Sequence, residues 1–318
     1  MKVFLTIFAL SLFSTTSASN GDRSGAYQNC LKPCVNNNCS GVEYPVDHPL
    51  YLKAMGWDCK EECKYSCMWV AVDIYADHGV ACPQFHGKWP FIRILGMQEP
   101  ASVLFSVLNG VATIIGFRRY LREVPTTTPM FNVAVLQAVV GVNAWIWSAV
   151  YHSRDFVWTE TLDYFCATSL VMFSFYVAIH RWSYEARIES RARIRWIAGH
   201  VLAGLYVTHI CYLSFDKFDY GYNMKANVAI ALSNSVAWLW LWKQKKISFP
   251  YFWKIFFIIV ATQIFLLFEL FDFPPLLWIL DAHSIWHLLT IPMPVLMFSF
   301  FKDDHLNLES TSSKDKVP

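Results

Sequence analysis

Five polar residues in this sequence have the types and spacing of a hydrolytic site. Ser148 and His152 stand four apart, Asp163 follows eleven residues later, and His283 and His287 are again four apart. Four residues advance a helix by about 40° beyond a full turn, so each pair shares one face. All five lie at the edges of apolar segments, where ionisable groups are costly and are functional candidates by default. Three imidazoles with an open fourth position suit a catalytic zinc ion, which favours nitrogen ligands and lowers the pKa of water to about 7. The run His283-Ser284-Ile285-Trp286-His287 lacks the glutamate of the H-E-x-x-H metalloproteases, so a general base must come from elsewhere, and Asp163 is the candidate. Ser148 is read as an oxyanion donor or as a covalent nucleophile. The second role requires a free histidine as base, and no G-x-S-x-G elbow surrounds it. A lone H-x3-H pair is explained equally by two histidines meeting a membrane interface. The combination of all five carries the site.

The elements that hold these residues are apolar. Of 318 residues, 55% are hydrophobic and 16% charged, too much apolar surface for one soluble core. That excludes a disordered chain, a fibrous repeat and a soluble enzyme, and a net charge of +2 gives no reason to expect nucleic acid as partner. Seven segments reach spanning length: 101–117, 130–151, 162–180, 196–215, 226–242, 251–271 and 283–301. Alternate connections carry Arg118, Arg119 and Arg122, then Arg181, Arg187, Arg191, Arg193 and Arg195, then Lys243, Lys245 and Lys246. The other connections carry only Arg154, Lys217 and Lys225. The positive-inside rule puts the basic side in the cytosol. Ser148, His152, Asp163, His283 and His287 then share one depth, near the lumenal ends of the second, third and seventh segments.

The amino end agrees with that orientation. Met1 and Lys2, an apolar run over 3–13 and small residues through Ala18 make a secretory signal peptide. Cys30, Cys34, Cys39, Cys59, Cys63, Cys67 and Cys82 follow in the next stretch, and read as a lumenal disulfide framework of three bridges with one thiol left over. Asn38-Cys39-Ser40 is a glycosylation sequon. The expected fold is an all-α membrane protein, a seven-transmembrane helix bundle with an N-terminal disulfide-rich lumenal segment. Its divisions are a signal peptide over 1–18, the cysteine-rich segment over 19–97, the hydrolase domain over 98–301 and a cytosolic tail over 302–318. In that tail Lys314 and Lys316 fit a K-x-K-x-x retrieval signal and contact with a coat protein, although two lysines in a short polar tail are also commonplace.

Other polar residues receive plainer readings. His200, His209, Asn109, Gln137, Asn143 and Gln263 are expected to bond between helices. Asp281 is a candidate to orient an imidazole. Arg154 and Asp155 either pair with each other or meet a phosphate. Pro292 and Pro294 are expected to kink the last segment.

The pattern resembles the CREST group of seven-span membrane hydrolases, which includes the alkaline ceramidases and the progestin and adipoQ receptors. Within that group the chain is most similar to the post-GPI attachment to proteins factor branch. The marks are Tyr151-His152-Ser153-Arg154-Asp155, Leu162-Asp163-Tyr164, Asp281-Ala282-His283-Ser284-Ile285-Trp286-His287, and the cysteine-rich segment around Cys59, Cys63 and Cys67. The resemblance covers nearly the whole chain after Ala18. It implies a GPI-specific phospholipase A2-type activity that removes the sn-2 acyl chain from the lipid of GPI-anchored proteins. A saturated chain is then added by another enzyme. It also implies zinc on His152, His283 and His287, catalytic roles for Ser148 and Asp163, and residence in the Golgi or endoplasmic reticulum membrane. Two other functions remain open at this point: a ceramidase-like amidase, against which the cysteine-rich segment argues, and a non-enzymatic receptor or cargo escort.

Overall fold

A computed structural model of the protein describes residues 19–44, 47–215 and 218–314. The expected signal peptide and Lys316 lie outside the described residues. Among the described residues there are eleven α-helices and one 3-10 turn, and no strand. They divide into a small disulfide-bonded head and a long-helix bundle.

The head is built on helix α1 (Gly25–Asn38), short helix α2 (Leu50–Ala54) and helix α3 (Cys59–Asp77). Ser24 Oγ accepts the Tyr27 N–H to start α1, and Asp58 Oδ1 accepts the Glu61 N–H to start α3. Each occupies the N-cap position that short oxygen-bearing side chains favour. The three- and four-residue gaps between cysteines put Cys30 and Cys34 on one face of α1, and Cys59, Cys63 and Cys67 on one face of α3. The bridges are Cys30–Cys67, Cys34–Cys63 and Cys39–Cys59. Partner numbers rise along one helix as they fall along the other, so α1 and α3 lie antiparallel and are laced rung by rung. Cys82 is the thiol left over. Each loop closure of this length contributes about 2–4 kcal/mol, and Tyr27, Ala71, Val72 and Phe85 supply only a small core beside them.

The bundle contains α4 (Pro100–Glu123), α5 (Phe131–Ser153), α6 (Val157–Ser183), α7 (Ile188–Phe215), α8 (Tyr220–Lys245), α9 (Trp253–Phe271), α10 (Ala282–Thr290) and α11 (Pro292–Lys314). By their contacts α4, α5, α6, α8, α9 and the α10–α11 pair close a ring, and α7 packs outside against α6. Six stretches are long and apolar enough to cross a membrane: α4, α5, α6, α7, 250–268 and 282–310. The seventh expected segment, 226–242, falls within α8. That helix has 26 residues, about 39 Å, ample length for a bilayer. It carries Asn223, Lys225, Asn227 and Asn234 and is not one of the six, so a count of seven rests on α8 alone. Apolar side chains cover the outside of the bundle, among them Val107 and Val111 on α4 and Phe257, Val260 and Ile264 on α9.

Two local features shape the site. The last apolar stretch breaks at Ile291, between α10 and α11, where Pro292 has no N–H to continue the helical ladder. Beyond that break α11 runs on past residue 301, the expected end of the span, as far as Lys314. Second, the segment between α3 and α4 straps the head to one end of the bundle. Gln84 Nε2 and Trp89 Nε1 donate to the two carboxylate oxygens of Asp272, Ile92 N donates to Trp278 O, and Gln98 N donates to Ser153 O.

Candidate functional site

His152 is in the last turn of α5, while His283 and His287 are one turn apart on α10. Asp281 Oδ1 accepts the Ser284 N–H and caps α10, which fixes where the helix begins and hence where His283 and His287 point. Asp281, a candidate to orient an imidazole, uses Oδ1 for this cap. The three imidazoles meet at the strapped end of the bundle. His152 Nε2 is 3.3 Å from His283 Nε2, which is 2.9 Å from His287 Nε2. His152 and His287 are buried and His283 is half-buried.

Three like nitrogens converging in this way suit a cation better than one another. Nitrogen ligands at about 2.0–2.1 Å in tetrahedral geometry stand roughly 3.3 Å apart, close to the spacing seen. The three histidines could therefore hold a metal ion. Cys39, Cys59 and Cys63 also lie close together, but all three sulfurs are in disulfides and offer no thiolate.

Behind His152 stands a residue that sequence reading missed. Glu99 Oε2 is 2.7 Å from His152 Nδ1, an arrangement that turns the Nε2 lone pair toward the centre. Glu99 also receives Lys88 Nζ on its other oxygen, and Lys88 reaches Asp155 Oδ2 at 3.1 Å. Burial opposes ionisation of Glu99, but Lys88 and His152 outweigh it and hold the carboxyl well below its usual range. Burial likewise opposes the Lys88 charge, and Glu99 and Asp155 outweigh it and raise the ammonium pKa. In the sequence Glu99 looks like an acidic residue at a membrane edge before Pro100. The signal it carried was its depth, which matches that of the other five.

Asp163 is buried on α6, close enough to His152 and His283 to interact electrostatically with both. Ser148 is buried one turn before His152, and its Oγ is 2.9 Å from Ser106 Oγ of α4. Asn109 Nδ2 donates to His287 O at 2.8 Å and ties α4 to α10. The indoles of Trp145 and Trp286 stand 5.5 Å and 4.9 Å from the His287 ring, giving the centre apolar walls. The five residues singled out from the sequence thus lie together at one end of the bundle. A separate groove of about 890 Å³ lies between α4, α9 and α11, walled by Gly116, Tyr120, Phe265, Leu289 and Phe298, and none of the five residues lines it.

The plainer readings divide. Gln137 bonds Ser174, Asn143 bonds Cys166 and Gln263 bonds Ser235, each between helices. His200 bonds the Trp196 carbonyl of its own helix. His209 lies against Tyr222 of α8, its ring tilted by 30° to the phenol. Arg154 and Asp155 do not pair with each other: Arg154 goes to Glu61 and Asp155 to Lys88.

Comparison with known proteins places this geometry. The Per1-like family profile matches residues 49–305. A Xenopus laevis protein named GPI-specific phospholipase A2-like PGAP3 is 42% identical over 100% of this chain and 99% of its own. The human protein of that name is 45% identical over 94% of this chain and 93% of its own. A Drosophila melanogaster post-GPI attachment to proteins factor 3 is 39% identical over 91% and 90%. No solved structure matches.

Proposed function

The chain belongs to the Per1-like family, and on that premise we propose that it remodels GPI anchors by hydrolysing the sn-2 acyl ester of the anchor's phosphatidylinositol. The observation that carries this reading is the convergence of His152, His283 and His287, backed by Glu99, at one end of a bundle whose outside is apolar.

In this reading His152, His283 and His287 would hold zinc through Nε2. Zinc, when bound, lowers the pKa of water to about 7 and polarises an ester carbonyl. Glu99 keeps His152 in the tautomer that presents Nε2 inward. Asp163 takes the proton of the attacking water on a carboxylate oxygen and returns it to the departing sn-2 alkoxide. The water oxygen joins the acyl carbon as the acyl–oxygen bond breaks, giving a free fatty acid and a lysolipid. Ser148 donates its hydroxyl to the oxyanion. Its contact with Ser106 rather than with a free histidine supports that role over a covalent nucleophile. Trp145 and Trp286 keep bulk water from the centre.

The head and the histidine end face the lumen in this reading, where GPI-anchored proteins display their lipid, and α8 completes seven spans. Residence is the Golgi or endoplasmic reticulum membrane, with Lys314 and Lys316 available to coat proteins. Lipid mass spectrometry of GPI anchors from cells lacking the chain tests the function. Rescue with wild type should restore saturated sn-2 chains, and rescue with His287→Ala at equal expression should not. Equal rescue by both would replace the hydrolase with a scaffold or escort.

A further inference from the structure

Beside the histidine centre is a cleft of about 400 Å³ between the head and the start of α6, within the ~300–1,000 Å³ of small-molecule sites. Its wall carries Arg154, which is 8% exposed. Trp57 and Phe156 hold the guanidinium at 4.0 Å and 4.9 Å from their ring centroids, so it is rigidly placed. Its hydrogen bonds are incomplete. Nη2 donates to Glu61 Oε2 at 3.0 Å and to Gly56 O at 3.4 Å, Nη1 has only a 3.4 Å contact with Gln98 Oε1, and the buried Nε has no partner. Its charge is incompletely balanced too, because Glu61 is shared with Lys64 at 2.6 Å. A guanidinium whose Nη1 has one long contact and whose counter-charge is shared can receive an anion in the cleft.

The same cleft has features of a polyol site. Glu160 lines it without a basic partner within ion-pair distance among the described residues; it hydrogen-bonds Tyr164, and its remaining acceptor capacity suits hydroxyl donors. Trp89 lines it as well, with its indole fixed by the bond to Asp272, and offers a flat apolar face. Lys88, also in the wall, is two hydrogen bonds from His152 through Glu99. In a phospholipid the phosphate is attached one glycerol carbon from the sn-2 ester, so a headgroup subsite must adjoin the ester site as this cleft does.

We propose that the cleft is the headgroup subsite of the enzyme, binding a phosphodiester-linked polyol with the phosphate on Arg154 and the ring hydroxyls on Glu160. The inference rests on the hydrolase reading and gives its substrate class: a glycosylated or free phosphoinositide. It also gives the head a task, since Trp57 and Glu61 hold Arg154 in place.

The test uses the full chain in lipid nanodiscs, with binding of water-soluble glycerophosphoinositol followed by saturation-transfer NMR. Wild type should bind, and binding should persist in His287→Ala, which cannot turn over substrate. Arg154→Lys should weaken binding about tenfold or more. Glu160→Gln, nearly isosteric and so a safeguard against misfolding, should weaken it severalfold. Free myo-inositol should bind at least about tenfold less well than the phosphodiester. Wild-type binding by both variants, no binding by the wild type, or equal competition by inorganic phosphate would overturn the proposal. Headgroup binding without ester hydrolysis would instead overturn the hydrolase reading alone.

Discussion

The bundle buries a polar cluster at each end, and the two are built on opposite plans. Away from the head, Arg181 of α6 donates Nε to Asp304 Oδ2 at 2.5 Å, Nη2 to Asp304 Oδ1 at 3.2 Å and Nη1 to Glu185 Oε1 at 2.8 Å. Tyr251 donates to Asp304, and Lys245 completes Glu185 at 2.6 Å. Signs alternate and the strong donors are used. His180 and His305 each leave one ring nitrogen without a partner there, but no third ligand joins them among the described residues. At the head end, three nitrogens of one kind point at one another, His287 Nδ1 has no partner, and Arg154 Nε is idle. A buried polar cluster whose bonds close among themselves fastens helices together. One whose groups converge without closing is set up for something that arrives.

The comparison can be broken or sharpened by substitution. The largest effect belongs to His287→Ala, which should lower turnover by at least about 10³-fold while leaving far-UV circular dichroism unchanged. Loss of helical signal in that variant would mean that the histidines are fasteners too. Asp304→Ala should do the reverse. It leaves Arg181 buried without its main counter-charge and should destabilise by about 3–5 kcal/mol in thermal unfolding. The fraction that remains folded should turn over within about twofold of wild type, and a much larger loss would give the far cluster a share in the chemistry. Glu99→Gln should weaken metal affinity by about 10–100-fold, read by chelator competition. Unchanged affinity would reduce Glu99 to a partner of Lys88.

The smallest effect concerns Glu61. Burial opposes its ionisation, but Lys64 and Arg154 outweigh burial and hold its pKa below the usual value. A carboxyl depressed in the folded state stabilises above its unfolded pKa, about 4.3, and that contribution is lost as pH falls through the folded value. Attachment of the head should therefore loosen below about pH 4, seen as faster proteolysis of the head. Glu61→Gln should flatten that dependence. An acid response identical to wild type would remove Glu61 from the attachment.

Much of this was legible because the relevant patterns repeat along the chain. Two i, i+4 pairs gave Ser148 with His152 and His283 with His287, and their shared depth brought Asp163 alongside. Three bridges with one thiol over followed from seven clustered cysteines. Which thiol was left did not, since only the antiparallel pairing of α1 and α3 separates Cys82 from the rest. Glu99 escaped notice because its role depends on a strap that returns from the head, a contact 53 residues long in sequence. An aspartate two residues before a histidine can serve as helix cap or imidazole partner, and only the structure shows that Asp281 Oδ1 takes the N–H of Ser284 as a cap. Arg154 and Asp155, adjacent in sequence, face different neighbours because the chain turns extended at Arg154 after α5.

The most direct measurement is the zinc content of purified full-length protein by inductively coupled plasma mass spectrometry, for wild type, Asp304→Ala and His287→Ala. A centre of three converging histidines predicts about one zinc per chain in the first two and almost none in the third. Equal zinc in all three, or none in an active wild type, would contradict it.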